Sequence, residues 1–432
     1  MNNQFLLRVR QPVFVMTFVL MLLAMCWQTS MHLIDYFHGV YGYENGCIND
    51  MLINYEGGFV RRGLFGELLF FARTFVSFSV ANAMVALYYL GFLLLAVLLV
   101  HLFRRNGWSL FILPFPICLY VYLCDPYILV GRRDCWLLML TCVCYYFYRN
   151  YVVRGGKIWI VLCAFTLIIA LLLHEASLFF IFPIIATYDM NCQYTYTRSL
   201  SRAALRFTLH WWAVGAVVFL IIICHGDDLV IRGFWESWAP YVDVTEKLIT
   251  DSYVSRTLNY SFWYNMTVAL WPSTWLGCLV WKIPVWPFNL YLFICTYYLV
   301  TRFNTIHLGA IKKQDVDIIQ LSNVVLTLFC SMFVFMSFVS CDWGRDFPYW
   351  VICSFMFFHF FQSSDISPSF LTKLSQELQG RIDRSSFLNS QWGYYILLVT
   401  LPLGFMGASI SGMFPFIPLT LKHILMGQPM AL

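Results

Sequence analysis

The residue run best suited to chemistry is Tyr55–Glu67, with the sequence YEGGFVRRGLFGE. Four glycines within ten residues let the backbone turn tightly and approach a ligand closely. The adjacent Arg61 and Arg62 carry planar donor groups that suit phosphate or carboxylate. The run therefore predicts a phosphate site, and the alternative is a loop that simply binds lipid headgroups. The same part of the chain also holds three carboxylates: Asp35, Asp50 and Glu56.

A second run, GRRD at residues 131–134, repeats the combination of glycine, two arginines and a carboxylate. Arg132 and Arg133 are therefore further candidates for phosphate binding. An aspartate at the start of a helix is also a common cap. The alternative interpretation is an Arg–Asp pair that caps the following helix.

The pair His174–Glu175 interrupts one long apolar run, Ile158–Ile185. Ionisable residues in such a run are costly and suggest a functional site. The run is either a short hairpin with its apex at this pair or one long helix that carries the pair inside. Both residues are candidates for the acceptor side of a site. A divalent cation could bind them, but two ligands do not define a metal site, and the sequence identifies no cofactor.

A fourth run, CDWGRD at residues 341–346, places two carboxylates, a guanidinium and an indole close together. Asp342 and Trp343 suit sugar recognition, because a sugar ring stacks on an aromatic ring while its hydroxyls bind charged groups. Arg345 is one of the charged groups that such hydroxyls could bind. The alternative is a tryptophan that anchors the chain at a membrane interface.

The segments that must position these residues are apolar. The chain has 432 residues, of which 60% are hydrophobic and 11% are charged, whereas soluble domains have roughly 25% charged residues. The apolar residues form long blocks such as Val13–Trp27 and Ala83–Leu102. Repeated blocks of this kind predict an all-α, polytopic membrane protein. This excludes a nucleic-acid binder, a cytosolic enzyme and a secreted disulfide scaffold.

The blocks predict a single membrane domain over residues 1–432 with about 11 transmembrane helices (range 9–13). Most Lys and Arg residues lie inside if the N-terminus is cytoplasmic, which fixes the orientation. The outer segments are then 34–82, 124–134, 225–274 and 341–346, with an outer tail at 412–432. We expect Leu64–Phe78 to form an amphipathic helix on the outer membrane surface. The predicted spans are 12–33, 83–103, 108–123, 135–148, 158–173, 176–188, 208–224, 275–300, 319–340, 347–362 and 392–411.

The longest outer segment, 225–274, combines tryptophans and tyrosines with acidic residues. Trp235, Trp238 and Tyr241 in this segment fit a carbohydrate or headgroup surface, and they also fit plain interfacial helices. The inner loops are short and basic, so they leave no room for a nucleotide-binding domain. The chemistry is therefore expected on the outer side.

Many spans, a carboxylate-bearing first outer segment, outer arginines and a large later outer segment together resemble the GT-C class of membrane glycosyltransferases. Within that class the chain resembles bacterial enzymes that modify or polymerise O-antigen outside the inner membrane. The runs YEGGFVRRG and GRRD are similar to those of uncharacterised bacterial membrane proteins.

The resemblance implies a donor sugar linked to polyprenyl phosphate, a polysaccharide acceptor and a periplasmic active site in the inner membrane. It implies that a first-segment carboxylate is the general base, with Asp50 or Glu56 before Asp35. Arginines would neutralise the departing carrier phosphate, first Arg61 and Arg62 and then Arg132, Arg133 and Arg345. His174, Glu175, Asp342 and Trp343 would line the acceptor side. The alternatives are a repeat-unit polymerase, a transporter or flippase for lipid-linked sugars, and a non-catalytic assembly protein.

Overall fold

The computed structural model describes residues 50–105, 133–259, 294–302 apart from 296 and 299, 318–338, 343–361, 369–390 and 392–393. Over these residues all regular secondary structure is helical and there is no strand. The prediction of an all-α chain is confirmed.

The helices of the described part are numbered in chain order. They are α1 (Leu64–Phe75), α2 (Val80–Arg105), α3 (Asp134–Arg154), α4 (Lys157–Leu173), α5 (Ser177–Phe180), α6 (Phe182–Thr197), α7 (Leu200–Ile223), α8 (Asp228–Trp238), α9 (Glu246–Asp251), α10 (Tyr253–Asn259), α11 (Ile318–Phe338), α12 (Trp343–Phe361) and α13 (Ser369–Arg384).

The predicted spans at 83–103, 135–148, 158–173, 208–224, 319–340 and 347–362 coincide with α2, α3, α4, α7, α11 and α12. The span predicted at 176–188 is divided between α5 and α6, and α6 continues to Thr197. The predicted spans at 12–33 and 108–123, and most of those at 275–300 and 392–411, lie outside the described residues.

By length and composition, one helix of the described ranges could cross a membrane, the 24-residue α7. Three shorter apolar helical stretches are Lys157–Leu173, Ile318–Met332 and Tyr349–Phe360. The number of spans and the orientation of the chain therefore stay predictions.

The long helices share one hydrophobic core. Helix α3 packs along α4 and α12, α6 packs along α7, and α11 packs against α12 and α13. Tyr145 and Phe357 meet edge to face at its centre, with ring centroids 5.0 Å apart, and both side chains are fully buried. This bundle fixes where α3 begins and where α4 ends, which positions the site described below.

A second hydrophobic core lies between residues 51–84 and residues 231–258. Ile231, Phe234, Trp235 and Trp238 face it from α8, because residues at this spacing share one side of a helix. The indole of Trp238 donates to the carbonyl of Leu52 across 2.8 Å. Both tryptophans are fully buried, so the prediction that they form a carbohydrate or headgroup surface is wrong.

Helix α1 has the amphipathic character predicted for it, but it ends at Phe75 rather than Phe78. Gly66 and Leu69 face the protein. Leu68, Phe71 and Phe75 are exposed on the other side of the helix. The helix runs directly from the YEGGFVRRG segment, so its packing holds that segment against the rest of the protein.

A buried carboxylate, Asp189, ties α6 to α7. Its Oδ2 atom lies 2.9 Å from the Trp211 indole nitrogen and 3.0 Å from His210 Nδ1. Its Oδ1 atom accepts from Gln193 across 3.2 Å. Buried carboxylates need several such partners to offset their lost hydration.

Candidate functional site

Three chain segments that are far apart in sequence meet in one group of charged side chains. Residues 50–62, the start of α3 and the end of α4 each contribute to it. Six of the residues singled out from the sequence take part, and we call them the charged cluster: Asp50, Arg61, Arg62, Arg133, His174 and Glu175.

The strongest contact in the charged cluster joins Arg62 to Glu175. The Nη2 atom of Arg62 lies 2.6 Å from Glu175 Oε1, and its Nε atom lies 2.8 Å from Oε2. This two-point geometry is the tightest form of guanidinium–carboxylate contact. Arg61 approaches the same carboxylate, with Nη1 3.8 Å from Oε1.

Asp50 forms ion pairs with two arginines on the other side of the charged cluster. Its Oδ1 atom lies 3.3 Å from Arg62 Nη1, and its Oδ2 atom lies 2.9 Å from Arg133 Nη2. The Arg133 side chain is only 1% exposed. Arg62 therefore lies between both carboxylates and connects the two halves of the cluster.

Arg133 also fastens the three segments to each other through backbone carbonyls. Its Nη1 atom donates to the carbonyl of Arg62 across 2.7 Å and to the carbonyl of Leu173 across 2.6 Å. Leu173 is the last residue of α4, and carbonyls in the last turn of a helix lack partners within the helix. The guanidinium thus caps α4 and holds the arginine pair beside it.

The helix ends at the His174–Glu175 pair, so the alternative of one long helix is wrong. Helix α4 ends at Leu173, and His174 is extended, with φ −163° and ψ 124°. The His174 Nδ1 atom accepts from the amide of Ala176 across 3.2 Å. The same Nδ1 atom lies 3.6 Å from Glu175 Oε2. The break turns the Glu175 carboxylate toward the arginines.

Arg62 adopts a left-handed backbone conformation, with φ 65°. A residue with a Cβ atom pays about 1–2 kcal/mol for this conformation. Strain of this kind persists only where surrounding contacts enforce it, and it concentrates at functional sites. Here the two-point contact with Glu175 and the bond from Arg133 to the Arg62 carbonyl enforce it.

Both carboxylates of the charged cluster are ionised at neutral pH. Burial alone would raise the pKa of Asp50, but Arg133 and Arg62 outweigh it and lower the pKa to about 2. Burial likewise opposes ionisation of Glu175, and Arg62 holds its pKa well below the ordinary value. Three guanidinium groups and two carboxylates meet in the cluster, so its arginines outnumber its carboxylates by one.

The glycines of the YEGGFVRRG run face the protein rather than a ligand, which corrects the sequence-based interpretation. A Cβ atom on Gly57 would lie 2.1 Å from the carbonyl oxygen of Val230 in α8. Gly58 has φ 135°, a conformation that side chains disfavour. A Cβ atom on Gly63 would lie 2.2 Å from the ring of Tyr55. The glycines therefore let the run pack onto the second core.

Of the other residues predicted for the site, three lie within the described ranges: Glu56, Trp343 and Arg345. Glu56 is exposed on the turn after Tyr55. Asp134 is buried at the start of α3 and accepts from the Tyr349 hydroxyl across 2.5 Å. The N-cap residue of α3 is Arg133, whose side chain makes no capping hydrogen bond. Trp343 and Arg345 lie in the first turn of α12. Three predicted residues lie outside the described ranges: Asp35, Arg132 and Asp342.

Within the described part of the chain, no group of three or more His, Cys, Asp and Glu side chains could hold a metal ion. The charged cluster instead offers guanidinium donors, held in fixed positions and partly screened from water. Such donors suit an anionic ligand with several oxygen atoms, above all a phosphate.

Sequence reasoning missed Tyr55 and the network around Asp189. The hydroxyl of Tyr55 is buried, and it finds no hydrogen-bond partner among the described residues. Phe59 and Gly63 lie against the Tyr55 ring, in a non-helical segment where residue spacing predicts no such contact. Comparison of the chain with protein-family models, curated proteins and solved structures finds no match.

Proposed function

We propose that the chain is a polytopic membrane glycosyltransferase. It moves a sugar from a polyprenyl-phosphate-linked donor onto a surface polysaccharide, on the periplasmic side of a bacterial inner membrane. The observation that carries this proposal is the charged cluster, in which three arginines from two segments converge on one place. A phosphate group is the ligand that this donor set suits best.

The distribution of charge along the helices supports an outer position for the charged cluster. The cluster lies where α3 begins and α4 ends. At the other ends of these helices, and at the adjoining ends of α6 and α7, lie exposed basic residues. They are Arg154, Lys157, Arg198 and Arg202. Since basic residues favour the cytoplasmic side of a membrane protein, the charged cluster belongs on the opposite side.

The two carboxylates of the charged cluster hold the arginines in place for the phosphate. Guanidinium groups that are already oriented need no rearrangement when negative charge develops on a leaving phosphate. The excess of one guanidinium group over the carboxylates of the cluster favours a ligand with more negative charge than a neutral sugar. The apolar helices that carry the cluster fit a donor whose tail stays in the lipid.

The general base is better assigned to Glu56 than to Asp50. A carboxylate whose pKa is about 2 is a weak proton acceptor at neutral pH, so Asp50 serves to position Arg62 and Arg133. Glu56 is exposed and makes no ion pair with the described residues. It lies next to Tyr55 and six residues before Arg62, within the same run.

Gene deletion and complementation in the source organism test this function. We expect the deletion strain to lose one sugar from its surface polysaccharide and to accumulate the lipid-linked sugar. The variant Glu56→Gln should lower transfer by about 10²-fold or more, the usual contribution of a general base. The control Glu377→Gln, on an exposed residue of α13, should restore transfer.

Mass spectrometry of the polysaccharide and of the lipid-linked sugars gives the readout. Full transfer by Glu56→Gln and Asp50→Asn variants at normal protein levels would contradict the catalytic assignment. Shorter polysaccharide chains with unchanged sugar composition would indicate a polymerase instead. A lipid-linked sugar that stays on the cytoplasmic side would indicate a flippase.

A further inference from the structure

The hydroxyl of Tyr55 is buried without a hydrogen-bond partner among the described residues. Buried polar groups are nearly always paired, and an unpaired one in a folded protein calls for a physical explanation. The unpaired group lies in the YEGGFVRRG run, which also supplies both arginines of the charged cluster.

The ring of Tyr55 is held in place from both sides. It stacks on Phe59, with ring centroids 5.4 Å apart and planes 12° apart. The backbone of Gly63 lies against its other edge, where a Cβ atom would come within 2.2 Å of the ring. The Tyr55 amide donates to Glu67 across 2.9 Å. These contacts fix the position of the ring and therefore of its hydroxyl.

That fixed position is beside the charged cluster. Gly63, which contacts the ring, directly follows Arg62 in the chain. Burial raises the pKa of Tyr55 to about 12, although the nearby positive charge of Arg133 opposes the rise and Glu67 adds to it. The hydroxyl thus keeps its proton at physiological pH and can donate a hydrogen bond.

We propose that the Tyr55 hydroxyl donates a hydrogen bond to a phosphate oxygen of the ligand that the charged cluster binds. This inference rests on the proposed function, because it takes the phosphate site as given. It assigns to Tyr55 a role in ligand binding and none in the stability of the free protein. A hydroxyl that is left unpaired until the ligand arrives explains why the fold leaves it without a partner.

The test uses the purified full-length chain in detergent, with inorganic pyrophosphate as the probe. We expect Tyr55→Phe to weaken pyrophosphate binding by about tenfold, because hydrogen bonds to charged groups are among the stronger ones. Thermal unfolding without pyrophosphate should stay unchanged or shift to a higher temperature, because the variant removes a buried unpaired group. A structural hydroxyl would give the opposite pattern.

Two further variants complete the test. Gly63→Ala displaces the ring and should also weaken binding. Tyr241→Phe alters a half-buried tyrosine of the second core that stacks under Arg73, and it should leave binding unchanged. Equal binding by wild type and Tyr55→Phe would overturn the inference while leaving the phosphate site intact. If the wild type does not bind pyrophosphate, the phosphate site itself fails, and the inference fails with it.

Discussion

Replacing Glu175 by glutamine removes one charge from the charged cluster and keeps the shape of the side chain. Glu175 meets Arg62 at two points, at 2.6 and 2.8 Å, and the side chains of both residues are about 15% exposed. We expect this one change to affect the stability of the protein and its affinity for phosphate in opposite directions. The free protein should lose stability, and the affinity for phosphate should rise.

The loss of stability follows from breaking a mostly buried ion pair. Removing one partner of such a pair costs about 3–5 kcal/mol. Glutamine keeps one oxygen that can still accept from Arg62, so we expect a loss of about 3 kcal/mol, at the lower end of that range. This should appear as a fall of several degrees in the unfolding temperature without ligand.

The gain in affinity follows from electrostatics. Glu175→Gln removes one negative charge from the charged cluster, so its arginines then outnumber its carboxylates by two. At an effective dielectric constant of about 20, a unit charge about 8 Å from a phosphate contributes about 2 kcal/mol before ionic screening. With screening by salt we expect pyrophosphate to bind roughly tenfold more tightly.

The assay is a pyrophosphate titration of the purified chain, followed by the unfolding temperature with and without ligand. The matched control is Glu246→Gln, which removes an exposed carboxylate paired with Arg232 at 3.1 Å. Exposed pairs contribute little, so the control should change neither quantity. Weaker pyrophosphate binding by Glu175→Gln, or an unchanged unfolding temperature, would refute the reasoning.

Substitutions at three other positions each test one set of contacts: Asp50, Gly57 and Asp189. The low pKa of Asp50 contributes about 2 kcal/mol of stability, which is present above pH 4 and is lost as the pH falls toward 2. The Asp50→Asn variant should therefore show a weaker dependence of the unfolding temperature on pH in this range. Gly57→Ala should lower the yield of folded protein, judged by gel filtration, because its Cβ atom would lie 2.1 Å from the Val230 carbonyl oxygen. The control Gly215→Ala, in α7 with open space around it, should fold normally and so separates the effect of the contact from the loss of a glycine. Asp189→Asn should cost about 2–3 kcal/mol of stability, since an amide opposes the donors around it, yet leave pyrophosphate affinity unchanged.

The sequence predicted most of the described helices because a run of apolar residues long enough to span a membrane is also long enough to form a helix. The sequence left the break at His174 open, because an apolar run of this length fits a hairpin as well as one long helix. The structure shows that the helix ends there. The end of α1 was placed three residues too late, because Val76 and Phe78 continue the apolar pattern without being helical.

The arrangement of the site could not be predicted in the same way. Arg62 and Glu175 are 113 positions apart in the chain, and residue spacing alone carries no information about such a contact. The sequence identified both as candidates from their chemistry, but only the packing of α3 and α4 brings them together. Trp235 and Trp238 had the composition of a binding surface, whereas their helical spacing places them in a core.

Our central claim is that the charged cluster binds the phosphate of a lipid-linked sugar donor while the sugar is transferred. The most direct test measures sugar transfer by the purified chain in liposomes that contain lipid-linked sugars extracted from the deletion strain. We predict that the wild type transfers the sugar to added polysaccharide. The Arg61→Ala variant should lose most of this activity without unfolding, because Arg61 makes only a 3.8 Å contact with Glu175 in the cluster. Equal transfer rates for the wild type and the Arg61→Ala variant would contradict the claim. So would a wild type that consumes none of the lipid-linked sugar.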